Sequence, residues 1–338
     1  MKVLFIGGTG NISTACTRLA AERGIEIFLF NRGRSESSLQ GQAQLLRGDI
    51  RDMASAARIL KHHHFDVVVD WVAYTPDHIE TDISLFAGRV RQYVFISSAA
   101  AYQKPPHHYL VTESTPLENP FWQYGRDKIA CEERLDRARR DDGFPVTIVR
   151  PSLTYGETWI PCAVGGHDYT VVDRMRRGKK IVVHGDGQSL WTVTHNSDFA
   201  KGLIGLLGNE RAIGEKYHIT SDEVLTWDRI YKTIGVAAGV EPELIHVPSE
   251  VIAAFDARTG ASLLGDKQYS LVYDNSKIKR AVPGFEAIVS FAEGMRRSLA
   301  WFDADPRRRT VNNEANALMN RIISGTGYST SKFHSSAR

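Results

Sequence analysis

The chain has 338 residues, with 42 lysines and arginines against 39 aspartates and glutamates, 42% hydrophobic residues and three cysteines. That length supports one large or two-lobed domain with a substantial core, and the balanced 24% charged content excludes a disordered polymer. No apolar run reaches the roughly 18 residues of a membrane span, and Cys16, Cys131 and Cys162 are too few and too scattered for a disulfide framework or a paired-cysteine zinc site. A cytoplasmic protein without metal or membrane partner is expected, because the opening apolar run at 3–6 is too short for a signal-peptide core and reads as a first strand. Similar apolar runs recur at 27–30, 67–69, 93–96 and 146–149, the form of parallel strands covered on both faces. Between the first two, Ile12, Cys16, Leu19 and Ala20 share one helical face, and Gly24 supplies a stop. The alternation predicts an α/β fold over 1–150: a Rossmann-type, doubly wound parallel sheet that binds ligands beyond the carboxyl ends of its strands. From 151 to 305 glycine is more frequent and strand-like runs such as 181–184 are shorter, which reads as a smaller C-terminal substrate lobe interleaved with the first domain. Residues 306–338 hold six basic side chains against Glu314 alone and are expected to be a basic tail, with a surface helix near 312–323.

Gly7-Gly8-Thr9-Gly10 follows the first strand and opens the first helix, the setting of a dinucleotide phosphate loop. Glycines let the backbone approach a pyrophosphate, whose charge is favoured at a helix N-terminus. The second strand ends in Asn31-Arg32-Gly33-Arg34, with no carboxylate to accept the ribose 2′-hydroxyl of NAD. Arg32 and Arg34 suit the 2′-phosphate of NADP instead, so the cofactor is read as NAD(P), with NADP preferred. Asp49, in Gly48-Asp49-Ile50, is placed to accept from an adenine amino group.

Tyr124 and Lys128 begin a charge-rich helix and share a face at a spacing of four. A phenol that titrates near ~10 needs a neighbouring cation to exchange a proton at neutral pH, and Lys128 supplies one. Ser97 and Ser98 stand at the carboxyl end of the strand at 93–96, the rim where such sheets bind ligands.

Taken together, GGTG at 7–10, GDI at 48–50, SSAAAY at 97–102, Tyr124 with Lys128, RPSLTYG at 150–156 and HGDG at 184–187 resemble the short-chain dehydrogenase/reductase superfamily. The likeness is to its extended and atypical branch of NAD(P)-dependent epimerases and dehydratases, and within it to bacterial relatives of the chloroplast stem-loop RNA-binding proteins. The resemblance implies that Tyr124 is the general acid/base, that Lys128 holds the nicotinamide ribose and lowers the tyrosine's pKa, and that Ser98 orients the reacting oxygen. It implies a cofactor set of Gly7, Thr9, Gly10, Asn11, Ile12, Asn31, Arg32, Arg34, Asp49, Ile50, Ala73, Ser97, Lys128, Pro151 and Ser152. Ser98, Ala99, Tyr124 and Trp191 are assigned to substrate, and a homodimer is expected.

Two departures narrow the reaction. Ser98 is followed by Ala99 and Ala100 where sugar-nucleotide dehydratases carry an acidic pair, so dehydration is disfavoured. Trp191 stands where many epimerases place a diphosphate-binding arginine; Arg174, Arg176, Arg177 and Lys179 are the substitutes to consider, although such a run usually forms a solvated helix face. His62-His63-His64 read as a polar helix end, and His107, His108 and His195 as loop or cap residues. Phe121, Trp122 and Tyr155 are candidates for an apolar sugar platform. The expected function is hydride transfer between NAD(P) and a secondary alcohol or ketone of a sugar, sugar nucleotide or related substrate. The alternatives are a ketoreductase acting on a non-nucleotide small molecule and a non-catalytic nucleotide- or RNA-binding protein of the same fold; nucleic acid is the disfavoured partner.

Overall fold

A computed structural model describes residues 1–33, 39 and 41–327. Arg34 lies outside the described residues. The chain divides into two compact units. The first comprises Met1–Gly156, Thr192–Val224 and Leu271–Ser290, and the second Glu157–Trp191, Leu225–Ser270 and the chain from Phe291 onward. Stretches 192–224 and 271–290, assigned above to the lobe, therefore return to the first unit.

Seven parallel strands build the first unit: β1 (Lys2–Ile6), β2 (Glu26–Asn31), β3 (Gln44–Arg47), β4 (Val67–Asp70), β5 (Gln92–Ile96), β6 (Val146–Pro151) and β7 (Lys216–Ile219), in the order β7-β6-β5-β4-β1-β2-β3. Alternation along each strand sends side chains to opposite faces. On β1, Val3 and Phe5 join a core with Cys16, Ala20, Phe199 and Leu203, covered by α1 (Ser13–Glu22) and the helix Asn196–Leu206. Leu4 and Ile6 join the opposite core with Phe28, Leu85, Phe95, Cys131 and Leu135, covered by α2 (Met53–Leu60), α3 (Pro76–Phe86) and α4 (Gln123–Asp142). Register places the strand ends together: Ile6 pairs Phe30 on one side and Asp70 on the other, and Asp70 pairs Phe95. The loops after β1, β2, β4 and β5 consequently emerge at one edge.

The second unit is organised by aromatic packing, with Trp191 against Trp227 at 5.5 Å and Trp227 against His184 at 4.9 Å. Its two-stranded sheet pairs Ile181–His184 with Leu244–Val247. The helix expected near 312–323 is Asn313–Gly325, but it is not a surface helix: it buries Ala315, Leu318, Met319 and Ile322. Arg174, assigned to a solvated face, is 1% exposed and reaches that helix, donating to Asn316 Oδ1 at 2.6 Å and Asn320 Oδ1 at 2.8 Å. An apolar stripe at helical spacing draws the segment inward, and the buried guanidinium is satisfied by amide oxygens.

Candidate active site

The glycine loop is held tightly. Gly8 has φ +88°, and a Cβ there would stand 2.5 Å from Leu29 Cδ2, so only glycine lets the loop close against β2. The Asn31 amide ties β2 to this loop, donating to the Gly7 carbonyl at 3.3 Å and accepting from Gly33 N–H at 2.8 Å. Asn11 donates to the Thr154 carbonyl at 2.9 Å, and its own carbonyl accepts from Asn196 at 2.8 Å. Beside the loop lies a cavity of about 420 Å³ lined by Gly7, Thr9, Asn31, Arg32, Asp49 and Ile50, with Val72, Tyr74 and His78 beyond.

These residues fit an anionic dinucleotide on the structure's own terms. The first turn of α1 carries no side-chain cap and no acidic residue, so its N-terminal dipole faces outward uncompensated. Asn11 Oδ1 is buried without a hydrogen-bond partner among the described residues, an acceptor awaiting a donor. Arg32 is exposed at the cavity wall. Asp49 Oδ1 instead accepts from Arg51 N–H at 3.0 Å, closing the turn after β3.

Tyr124 and Lys128 lie one turn apart on α4, and the structure buries the lysine. Its ammonium is 2% exposed and donates to the Ala73 carbonyl at 2.7 Å and the Ile96 carbonyl at 2.8 Å, so it bridges the carboxyl ends of β4 and β5. It also lies 4.9 Å from the Tyr74 ring centroid and 5.9 Å from that of Tyr124. Burial pulls its pKa down to about 8, against favourable charges from Cys131 and Asp70. Ala73 thus meets Lys128 through its carbonyl.

Ser98 caps a short 3₁₀ turn, Ala99–Ala101, accepting from Ala100 N–H at 3.2 Å. Gly125 brings α4 onto that turn: a Cβ there would stand 2.9 Å from the Ala100 carbonyl oxygen and 2.7 Å from Asn119 Nδ2. The glycine after Tyr124 is therefore what lets the tyrosine's helix approach Ser98. Gly125→Ala should cost about 1–3 kcal/mol by overpacking and lower kcat more than it raises KM, which thermal denaturation and steady-state kinetics would measure.

The residues that fix this arrangement were not anticipated from the sequence. Asn119 donates to the Ala100 carbonyl at 2.8 Å and accepts from Trp122 N–H at 3.0 Å, tying the start of α4 to the Ser98 turn. Glu132 and Arg150 form an ion pair with both side chains 1% exposed, Arg150 Nε to Oε1 at 2.9 Å and Nη2 to Oε2 at 2.5 Å. Ser97 donates to the same Glu132 Oε1 at 2.6 Å, so its hydroxyl, expected to face the cofactor, is turned into this network. Positions 124, 128 and 132 recur every four residues, and that spacing was the available signal for Glu132.

Other expected site residues are placed as follows. Pro151 ends β6 in the interior, and Ser152 Oγ donates to the Thr192 carbonyl at 3.4 Å. Ala99 is buried in the 3₁₀ turn, and Ile12 precedes α1 as its N-cap. Trp191, expected at the substrate, is 2% exposed and packed on Trp227, which places it in the interior of the second unit. Tyr155 is fully buried against His195 and Phe121 is exposed, whereas Trp122 lies 4.9 Å from the Tyr124 ring. His195 itself caps the helix Asn196–Leu206. No cluster of metal-ligating side chains occurs among the described residues, and no described helix is long and apolar enough to cross a membrane.

The sequence matches the NAD dependent epimerase/dehydratase family over residues 3–87 and 83–220. The chain belongs to that family. It is accordingly an NAD-dependent enzyme of the extended short-chain dehydrogenase/reductase type. The chloroplast stem-loop binding protein of 41 kDa b from Arabidopsis thaliana is 27% identical to it, covering 95% of this chain and 84% of the relative. A 2′-dehydrokanamycin reductase from Streptomyces kanamyceticus is 26% identical, covering 85% and 80%. Among solved structures, a dTDP-glucose 4,6-dehydratase from Bacillus anthracis in complex with NAD superimposes with a TM-score of 0.73 at 19% identity, over 91% of this chain and 98% of the other. That likeness establishes the Rossmann-type fold of this epimerase/dehydratase family member.

Proposed function

We propose that the enzyme moves hydride between a nicotinamide dinucleotide and a secondary alcohol or ketone of a sugar, sugar nucleotide or related small molecule. The observation that carries this reading is the buried Lys128 ammonium, anchored on the Ala73 and Ile96 carbonyls one helical turn from Tyr124. When bound, the nicotinamide supplies a hydride acceptor or donor at C4. The Gly7–Asn11 loop and the N-terminus of α1 hold the pyrophosphate. The Tyr124 hydroxyl takes or returns the proton of the substrate oxygen, Lys128 favours its phenolate by charge, and Ser98 Oγ orients the same oxygen. Re-reduction of a retained ketone from its other face gives epimerisation, and its release gives a dehydrogenase or ketoreductase. Mass spectrometry of the native protein tests the premise: a co-purified or titrated NAD(P)(H) is expected. A chain that binds neither dinucleotide carries out no such reaction.

A substrate without a diphosphate is the second reading, and the fate of the basic residues favours it. Trp191 is buried, Arg174 is bound to the C-terminal helix, Arg176 pairs with Asp303 at 2.7 Å and Arg177 with Asp173 at 2.9 Å. The Arg174 and Arg176 guanidiniums are thus engaged within the second unit, and Arg177 holds a surface pair on its own helix. The reductase relative from Streptomyces kanamyceticus is consistent with a non-nucleotide sugar substrate.

NADP is the cofactor we favour, because Arg32 lines the cavity beside Asn31. Arg32→Ala should lower kcat/KM for NADPH about 10-fold or more while sparing NADH, a loss in the range of a charge-assisted phosphate contact. Equal effects on both cofactors would remove Arg32 from the 2′-phosphate. Activity should also fall above about pH 8, where Lys128 gives up its proton, and remain high below it while the ammonium is intact. The pH profile of kcat at saturating dinucleotide measures this.

A further inference from the structure

Beneath Lys128 lies a pair of carboxyl groups to which the reaction above gives no role. Asp70 ends β4 and Asp82 sits on α3, and both are fully buried. Asp70 Oδ1 accepts from Val72 N–H at 2.5 Å and from Ala73 N–H at 2.8 Å. The Tyr93 hydroxyl on β5 donates to Asp82 Oδ2 at 2.5 Å. The remaining oxygens, Asp70 Oδ2 and Asp82 Oδ1, are buried with no donor among the described residues.

Two adjacent carboxylates in a buried site repel each other, and neither orphaned oxygen reaches the protein surface; a single proton between them relieves both costs. Carboxyl dyads in apolar sites behave in this way. Burial, then the charge of Asp70 and a hydrogen bond between the two groups, pushes the Asp82 carboxyl well above the usual carboxylate range. The same Asp70 holds the 70–73 turn through Val72 and Ala73, and the Ala73 carbonyl receives the Lys128 ammonium.

We infer that Asp82 carries a proton shared with Asp70, and that the pair is a positioning device for Lys128: it fixes the turn that binds the ammonium and leaves one negative charge beside it. The inference rests on the proposed role of Lys128 and assigns that role a support drawn from α3, β4 and β5. Other groups facing this region are Arg51 after β3, Tyr74 and His78 near the start of α3, Tyr93 on β5, and Cys131 and Glu132 on α4. Arg51 opposes the Lys128 charge, whereas Cys131, Asp70 and Glu132 favour it.

The experiment has a spectroscopic and a kinetic arm, both on the full chain with dinucleotide bound. Infrared difference spectra of wild type against Asp82→Asn at pH 7 should contain the C=O stretch of a protonated carboxyl group that the variant lacks. Absence of that band overturns the shared proton, whatever the enzyme's activity. Asp82→Asn can still donate to Asp70 and accept from Tyr93, so it should retain most of the turnover, while Asp82→Leu should lower kcat with little change in dinucleotide affinity. Asp70→Asn alone lets Asp82 ionise and keeps one negative charge, whereas Asp70→Asn with Asp82→Asn removes it, so the alkaline limb of the double variant should move to lower pH. Wild-type turnover in Asp82→Leu together with an unmoved limb in the double variant overturns the positioning role. A fully active Tyr124→Phe would sink the proposed function, and the infrared band would still decide the proton.

Discussion

Tyr124→Phe should lower kcat/KM by about 10²–10⁴-fold, the usual worth of a positioned proton donor and acceptor, while leaving dinucleotide affinity near its wild-type value. The ring is retained, so its contact with Trp122 at 4.9 Å and its position over Lys128 should survive, and only the hydroxyl is lost. Isothermal titration with dinucleotide and steady-state turnover separate the two effects. Undiminished turnover would mean that the proton moves elsewhere. Lys128→Met would lose more than charge, because its ammonium also satisfies the Ala73 and Ile96 carbonyls, and a drop in thermal stability should accompany its loss of activity.

Glu132→Ala should be the most destabilising single change among the residues discussed, costing about 3–5 kcal/mol, since it leaves the Arg150 guanidinium buried without its partner. Arg150 would keep a 3.2 Å contact to the Glu113 carbonyl and its position 4.8 Å from the Tyr102 ring centroid, which compensate poorly for a lost bidentate carboxylate. The damage should extend to catalysis, because Glu132 also accepts from Ser97, the neighbour of Ser98. Denaturation midpoints of Glu132→Ala and Glu132→Gln should differ, with the amide retaining part of the network. A wild-type midpoint for Glu132→Ala would show that the pair contributes nothing net to stability.

The candidate site residues were more legible than the scaffolding around them. The glycine loop announced itself by its place between a strand and a helix, and Tyr124 and Lys128 by a spacing of four. What the spacing could not supply was the depth of Lys128 and the carbonyls that anchor it, Ala73 just after β4 and Ile96 at the end of β5, 55 and 32 residues away in sequence. Ser97 and Ser98 read alike in the chain, yet strand alternation turns one into a buried network with Glu132 while the other caps the next turn. Arg174 was misjudged for a related reason: its place in a charged run suggested a solvated face, whereas the Asn313–Gly325 helix encloses it, and Trp191 packs on Trp227.

By itself, the sequence determined the alternating α/β architecture, the place of the glycine loop between strand and helix, and the one-turn spacing of Tyr124 and Lys128, because those depend on local periodicity and on contacts within a few residues. Tertiary structure alone decided which polar groups are dry. Burial depends on what the rest of the chain lays over a side chain, and it is burial that lowers Lys128 to about 8, joins Glu132 to Arg150 and forces Asp70 and Asp82 into one site.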